Sequence, residues 1–340
     1  MMEPQVEALH YTKLKDQKVQ CLLCPQNCIL GPGKVGLCNV RRNHEGMLYA
    51  ENYGMVAAKH VDPIEKKPLY HFYPGRGIYS IGTVGCNMHC LFCQNCEISQ
   101  TSVKAARFLK YMEPGDVVKE ARAHPESIGI AYTYNEPGVW FEYIMEVARK
   151  AKEVDLKNVM VSNGYINEIP LREILEVMDA FNIDLKGYTE DFYKTQTFSS
   201  LNPVKDTIRE VSVTGKHLEI TNLVIPLLND DPDIFEEMCI WLADEIGQDT
   251  VLHLSKYFPS YKKTLPSTPE NKLVEFYHTA KKYLHYVYIG NVSHGSIGKN
   301  TICPQCKTTV IERSGYSTKI FKIDTEGKCT VCNTPILEHI

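Results

Sequence analysis

The sequence predicts an α/β fold: an incomplete (β/α) barrel of about six units, with a small cysteine-rich module at each end. Three observations predict it. From about Gly77 to Asn291, short apolar and β-branched runs alternate with amphipathic helical runs, the signature of a parallel sheet with helical crossovers. Twelve of the thirteen cysteines fall in three clusters, at 21–38, 86–96 and 303–332. The N-terminal cluster lies in a loop-rich stretch with little apolar content of its own, where a bound metal would supply the missing core.

The N-terminal set is Cys21-x2-Cys24-x3-Cys28-x9-Cys38, interrupted by Pro25, Gly31, Pro32 and Gly33. Four thiolates suit either zinc or an auxiliary iron–sulfur cluster; zinc, the commoner structural device on loops, is the expectation. Residues 62–75 read as an ordinary packed linker marked by Pro68 and Pro74, the alternative being that Lys66, Tyr70 and His71 close over a site. Strands are expected at 78–82, 128–134, 159–162, 180–185, 218–225 and 251–254, with a seventh candidate at 286–289. Helical runs are expected at 114–124, 139–152, 171–178, 233–246 and 269–283. In a barrel of this kind the functional groups sit at the carboxyl ends of the strands. A doubly wound open sheet is the alternative. At the C-terminus, Cys303-x2-Cys306-x22-Cys329-x2-Cys332 frames strand-like runs at 308–312 and 318–323, which reads as a closed, tetrahedral zinc ribbon. The expected units are therefore 1–75, 76–295 and 296–340.

Composition narrows the function. Hydrophobic residues make up 44% and charged residues 23%, ordinary for a globular chain. Lys and Arg number 37 against 41 Asp and Glu, a formal charge of −4 that argues against a nucleic-acid partner. Residues 1–18 lack the apolar core of a signal peptide, and no apolar run reaches membrane-spanning length. The expectation is a cytoplasmic protein whose thiols are reduced and bind metal rather than form disulfides. Cys239, alone in an amphipathic pattern, reads as core packing.

The most informative run is Tyr79-Ser-Ile-Gly-Thr-Val-Gly-Cys86-Asn-Met-His-Cys90-Leu-Phe-Cys93, a buried strand entering a loop. Three thiolates spaced in this way can hold three corners of a [4Fe–4S] cluster, which normally takes four cysteines, and so leave one iron open. A three-ligand zinc site and a cluster closed by Cys96 are the alternatives; His89 reads as a loop residue. With Phe92 just before Cys93, the run resembles the radical S-adenosylmethionine (SAM) superfamily. That resemblance implies that the open iron binds the methionine part of SAM. It also implies that a reduced cluster cleaves SAM to a 5′-deoxyadenosyl radical, which abstracts hydrogen from a substrate. The electron would come from a flavodoxin- or ferredoxin-type donor.

Further segments carry the resemblance. Tyr132-Thr-Tyr-Asn-Glu136-Pro137 is similar to the superfamily's Gly-Gly-Glu-Pro segment, with Tyr134 and Asn135 in the places of the glycines, as near the pyruvate formate-lyase activating enzymes. Val161-Ser-Asn-Gly164 resembles the segment that contacts the SAM ribose and carboxylate, and Asp184-Leu-Lys186 resembles the Asp-x-Lys motif of the activating enzymes. The resemblance thus implies that Phe92, Asn135, Glu136, Ser162, Asn163, Asp184 and Lys186 bind the cofactor. Taken singly, a strand-end Asp or Lys is ordinarily a cap or a solvated charge, and Glu136 before Pro137 could simply start a helix.

Nearly the whole chain resembles the radical SAM component of the AmmeMemoRadiSam system. The matching pieces are the cysteine-rich opening at 21–41, the stretch 62–75, Leu223-Val-Ile-Pro226, His253-Leu-Ser-Lys-Tyr-Phe-Pro259 and the terminal ribbon. The resemblance implies AMMECR-type and MEMO-type partner proteins. A glycyl-radical activase is the alternative function, and a zinc-only scaffold is the reading from a different class. Arg313-Ser-Gly-Tyr316 looks superficially like a glycyl-radical loop, but between two cysteine knuckles a glycine more simply makes a turn.

Overall fold

A computed structural model of the chain describes residues 6–292 and 297–340, so the expected boundary at 295/296 lies outside the described residues. Its centre is one eight-stranded sheet. Strand β1 (Ala58–Pro63) forms the antiparallel edge against β2 (Gly77–Gly82). Then β3 (Ser127–Tyr132), β4 (Lys157–Ser162), β5 (Ala180–Asp184), β6 (His217–Val224), β7 (Val251–Lys256) and β8 (Tyr286–Gly290) follow in strict chain order, each parallel to the one before. A doubly wound sheet reverses its order at a switch point. This one does not, which excludes that alternative. Each parallel step is crossed by a helix: α1 (Pro114–Arg122), α2 (Phe141–Lys152), α3 (Glu168–Val177), α4 (Leu201–Ser212), α5 (Pro232–Trp241) and α6 (Glu270–Ala280).

Local chemistry accounts for these elements. Pro114 and Pro232 occupy the first helical position, where the missing N–H costs nothing. The Asp231 carboxylate accepts from the backbone N–H groups of Asp233 (3.0 Å) and Ile234 (3.2 Å), capping α5. Strand β5, Ala180-Phe-Asn-Ile-Asp184, is buried through its first four residues, as expected of a strand covered on both faces. The polar group this buries is satisfied: Asn182 donates to Pro68 O at 2.8 Å and accepts from the Thr221 hydroxyl at 2.9 Å. Cys239 is fully buried on α5, in the core where its pattern placed it. Edge strand β1 lies within the expected N-terminal segment and was not anticipated, because Ala-Lys-His-Val-Asp-Pro is half exposed and carries no continuous apolar run.

Residues 6–50 form a three-stranded antiparallel sheet (Tyr11–Lys13, Val19–Cys21, Ile29–Leu30) and a hairpin (Arg41–His44, Met47–Ala50). They are fixed to α2 by Arg41, 1% exposed, whose guanidinium donates to both oxygens of Glu142 at 2.9 and 3.0 Å. At the other end, strands Thr301–Ile302, Thr309–Ser314 and Ser317–Ile320 form an antiparallel sheet. Arg313-Ser-Gly-Tyr316 spans the end of one of its strands and the turn, with Gly315 at φ 58°, so the turn reading accounts for that tetrapeptide. Among the described residues, no helix is long and apolar enough to cross a membrane.

Candidate active site

A cavity of about 600 Å³ opens where the parallel strands end at their carboxyl termini. The loop after β2 brings Cys86, Cys90, Phe92 and Cys93 to its wall. The ends of β3 and β4 bring Asn135, Glu136, Ser162 and Asn163, and the end of β5 brings Asp184 and Lys186. All the residues that the sequence nominated for the cluster and SAM therefore line one cavity. Cys96 does not line the cavity; it starts a short helix, Cys96–Ser99. His89 stays in the loop, its ring nitrogens bonded to Gln100 Oε1 (2.6 Å) and Leu37 O (2.9 Å).

Glu136 is 4% exposed and organises the floor. One of its oxygens accepts from the Gly138 N–H and the Ser162 hydroxyl, both at 2.8 Å, and the other from the Asn163 N–H at 2.8 Å. Burial raises its pKa, and these donors oppose the rise. Glu136 thereby clamps the end of β3 to the end of β4. Asn135 performs a similar task for the cysteine loop: its Oδ1 accepts from Thr83 N at 3.1 Å and its Nδ2 donates to Gly85 O at 2.8 Å. Tyr134, in the place of a superfamily glycine, keeps a left-handed φ of 74°, with its carbonyl held by Asn95 Nδ2 at 2.6 Å.

The thiols sit in a demanding environment. Burial pushes the Cys90 thiol up to about 12, and burial together with the Glu136 charge pushes Cys86 well above the ordinary thiol range. Thiolates here need a cation, which metal coordination supplies as protons leave. Lys186 contributes positive charge: although burial disfavours its ammonium, Asp184 (2.8 Å) and Cys90 hold its pKa above the usual lysine value. Asn163 Nδ2 reaches Cys86 Sγ at 3.6 Å and Asn87 Oδ1 at 2.9 Å. Two buried sulfurs and the half-buried one of Cys93, with no fourth cysteine lining the cavity among the described residues, fit a cluster with one open corner.

The rest of the lining was less legible. Residues 62–75 are packed, but Lys66, Lys67 and Tyr70 also line the cavity, so the linker reading is incomplete. Buried Lys67 donates to Asp62 at 2.6 Å, and burial lowers its pKa to about 8 against the pull of Asp62. Behind His253, which faces the cavity, lies Glu219, 0% exposed. Glu219 accepts from Tyr70 N (2.9 Å) and His71 N (2.7 Å) and bonds the rings of His217 (2.9 Å) and His253 (2.6 Å). Burial would raise its pKa, yet these rings hold the carboxylate well below the usual range. The only sequence signal for this hub was a glutamate amid the apolar residues of β6. Tyr316, from the C-terminal hairpin, completes the rim.

The four C-terminal sulfurs of Cys303, Cys306, Cys329 and Cys332 lie within 4.8 Å of one another, close enough to share one metal ion. Cys21, Cys24, Cys28 and Cys38 line a second, smaller cavity with Arg41 and Asn87.

Comparison with known proteins gives the family. The Radical SAM superfamily matches residues 80–241. The chain is 42% identical over 333 residues to Uncharacterized protein MJ0808 of Methanocaldococcus jannaschii, covering 97% of this chain and 98% of that protein. It is 24% identical over 237 residues to the same organism's Putative glycyl-radical enzyme activating enzyme MJ1227, covering 65% of this chain and 92% of the other. Among solved structures, Streptococcus suis SuiB bound to S-adenosylmethionine shares the fold, with a TM-score of 0.51 and 11% identity over 67% of this chain and 53% of SuiB. The chain thus belongs to the same family as MJ0808, within the radical SAM superfamily, and is a radical SAM enzyme.

Proposed function

We propose that Cys86, Cys90 and Cys93 hold a [4Fe–4S] cluster and that SAM lies between its open iron and the ends of β3, β4 and β5. The observation that carries this reading is the convergence of the three cysteines, the Glu136 clamp and Lys186 on one cavity. Reduced by one electron from a flavodoxin- or ferredoxin-type carrier, such a cluster with SAM supplies a 5′-deoxyadenosyl radical. The protein's own share is positional. Glu136 and Ser162 fix the strand ends, Lys186 offsets negative charge beside Cys90, and buried Phe92 keeps water from the cysteine loop. Substrate contacts come from the remaining lining residues, among them Lys67, Tyr70, His253 and Tyr316.

On this reading the sheet is a partial barrel, residues 1–75 and 296–340 are its flanking modules, and the C-terminal cysteines form a zinc ribbon. The motif resemblance at 21–41, 62–75, 223–226, 253–259 and the terminal ribbon supports membership in the AmmeMemoRadiSam system with AMMECR-type and MEMO-type partners. The similarity to a putative activating enzyme favours one second reading, a glycyl-radical activase. Anaerobic reconstitution should yield a reducible cluster whose EPR spectrum changes with SAM, and 5′-deoxyadenosine should accumulate. Retention of both signals by a Cys86→Ala/Cys90→Ala/Cys93→Ala variant would falsify the assignment.

A further inference from the structure

We infer that Cys21, Cys24, Cys28 and Cys38 hold a second iron–sulfur cluster, not zinc, and that it relays electrons to the first. The chain contains its own standard for the comparison. A zinc ion at about 2.3 Å from four tetrahedral sulfurs leaves them about 3.8 Å apart. The C-terminal set has this geometry: Cys303 and Cys332 sulfurs stand 3.5 Å apart, and those of Cys306 and Cys329 3.7 Å. Among the described residues it is the one group of three or more metal-ligating side chains drawn together for a single ion. The N-terminal four are not drawn together in this way, and neither are Cys86, Cys90 and Cys93. Instead the N-terminal four line a small void shared with Arg41, their sulfurs spaced more widely than a single ion would draw them.

A second observation concerns Arg41. It lines this cavity and is 1% exposed, and its Nε has no hydrogen-bond partner among the described residues. The guanidinium is thus a buried donor beside the sulfurs, and an anionic cluster with sulfide and thiolate acceptors satisfies it. Apolar Leu23, Leu37 and Val139 complete the wall.

The position of this cavity implies its role. Gly85, directly before Cys86, has φ 91°, and a Cβ there would lie 2.5 Å from Cys38 O. The two cysteine loops therefore touch through their backbones. Gln26 Nε2 donates to Asn87 O at 3.0 Å, and His89 Nε2 donates to Leu37 O at 2.9 Å. Asn87 lines the N-terminal cavity while its Oδ1 accepts from Asn163 on the other side. In the relay, a low-potential one-electron carrier reduces the N-terminal cluster from the 2+ to the 1+ state. That electron then passes to the cluster at Cys86, Cys90 and Cys93, and the first returns to 2+. No proton or bond changes hands.

The relay rests on the proposed SAM-cluster assignment; the iron site does not, and the test separates them. The reconstituted chain should contain about eight irons and about one zinc. The Cys86→Ala/Cys90→Ala/Cys93→Ala variant should retain about four irons, in a cluster whose EPR signal ignores SAM. A folded variant with no iron and about two zincs would overturn the second cluster. For the relay, reduction of the central cluster by flavodoxin should be at least tenfold slower in Cys24→Ala, followed by stopped-flow absorbance. An unchanged rate would overturn it. Spin–spin broadening in the reduced wild type that disappears in Cys28→Ala gives an independent readout of the pair should Cys24→Ala fail to fold.

Discussion

The C-terminal and N-terminal cysteine sets carry four thiols each, and the scaffold holds them differently. The C-terminal thiols come from two Cys-x2-Cys knuckles, and the deepest, Cys303 and Cys329, are 0% and 1% exposed. Around them pack Val310, Ile311, Ile320, Ile323, Ile336 and Leu337, with Val251 and three tyrosines from outside the module, so the sulfurs converge where the module has a small core of its own. The N-terminal thiols are spread over one strand and the loops that follow it, line a small void and rest against the Cys86–Cys93 loop. Thiol number does not choose the metal. The spacing imposed by the surrounding backbone does.

The largest effect should come from breaking the C-terminal site. Structural zinc contributes about 10–16 kcal/mol of apparent binding energy, more than so small a core supplies. Cys303→Ala/Cys329→Ala should unfold the module, seen as loss of hydrogen-exchange protection across 301–337 while β2–β5 remain protected. Intact protection without metal would erase the contrast between the two modules.

Next in size is Glu219→Gln. This charge gathers β6, β7 and the 70–71 backbone, and Arg313 Nη2 ties the C-terminal hairpin to the Tyr70 carbonyl at 2.7 Å. Breaking such a buried ionic network costs about 3–5 kcal/mol, measurable by urea unfolding. The pH dependence has a definite sign. Because the folded pKa is lowered, the Glu219 contribution is present above its unfolded value of about 4.3 and is lost as pH falls through the folded value. The wild type should lose stability below about pH 4.3, and the variant should show a shallower acid slope.

Arg41→Lys tests the N-terminal side. It keeps a charge but cannot reproduce the two bonds to Glu142 and the third, at 2.5 Å, to Leu9 O. A loss of about 1.5–3 kcal/mol is expected, with a shifted N-terminal cluster potential and unchanged zinc content. An unaltered potential would separate Arg41 from the cluster. The smallest effect should be that of Cys239→Ala, about 1–2 kcal/mol from a small core cavity, with metal content as in the wild type. Any metal loss would show that the cysteine outside the three sets is not simply packing.

Much of this was legible in the chain. All seven parallel strands stand out because strands buried on both faces are written as continuous apolar runs. Strand β1 did not, since an edge strand carries no such run. Cys86, Cys90, Cys93, Glu136, Ser162, Asn163, Asp184 and Lys186 were nominated by a family resemblance carried in short local motifs, and the structure brings them to one cavity. Their division of labour was not legible in this way. That Glu136 spends its oxygens on Gly138, Ser162 and Asn163 depends on two adjacent strands meeting in register.

By itself the sequence determined the strand–helix alternation, the grouping of the cysteines and the three-thiolate motif, because each is encoded within a few tens of residues. Only the tertiary structure decided that Lys66, Lys67, Tyr70 and Tyr316 face the cavity, that Glu219 is a buried hub, and that two four-cysteine sets present different sulfur spacings. These properties arise from contacts between distant segments, such as Arg41 with Glu142, separated by 101 residues. Local periodicity says which face of an element is apolar, but it carries no information about which distant element will cover that face.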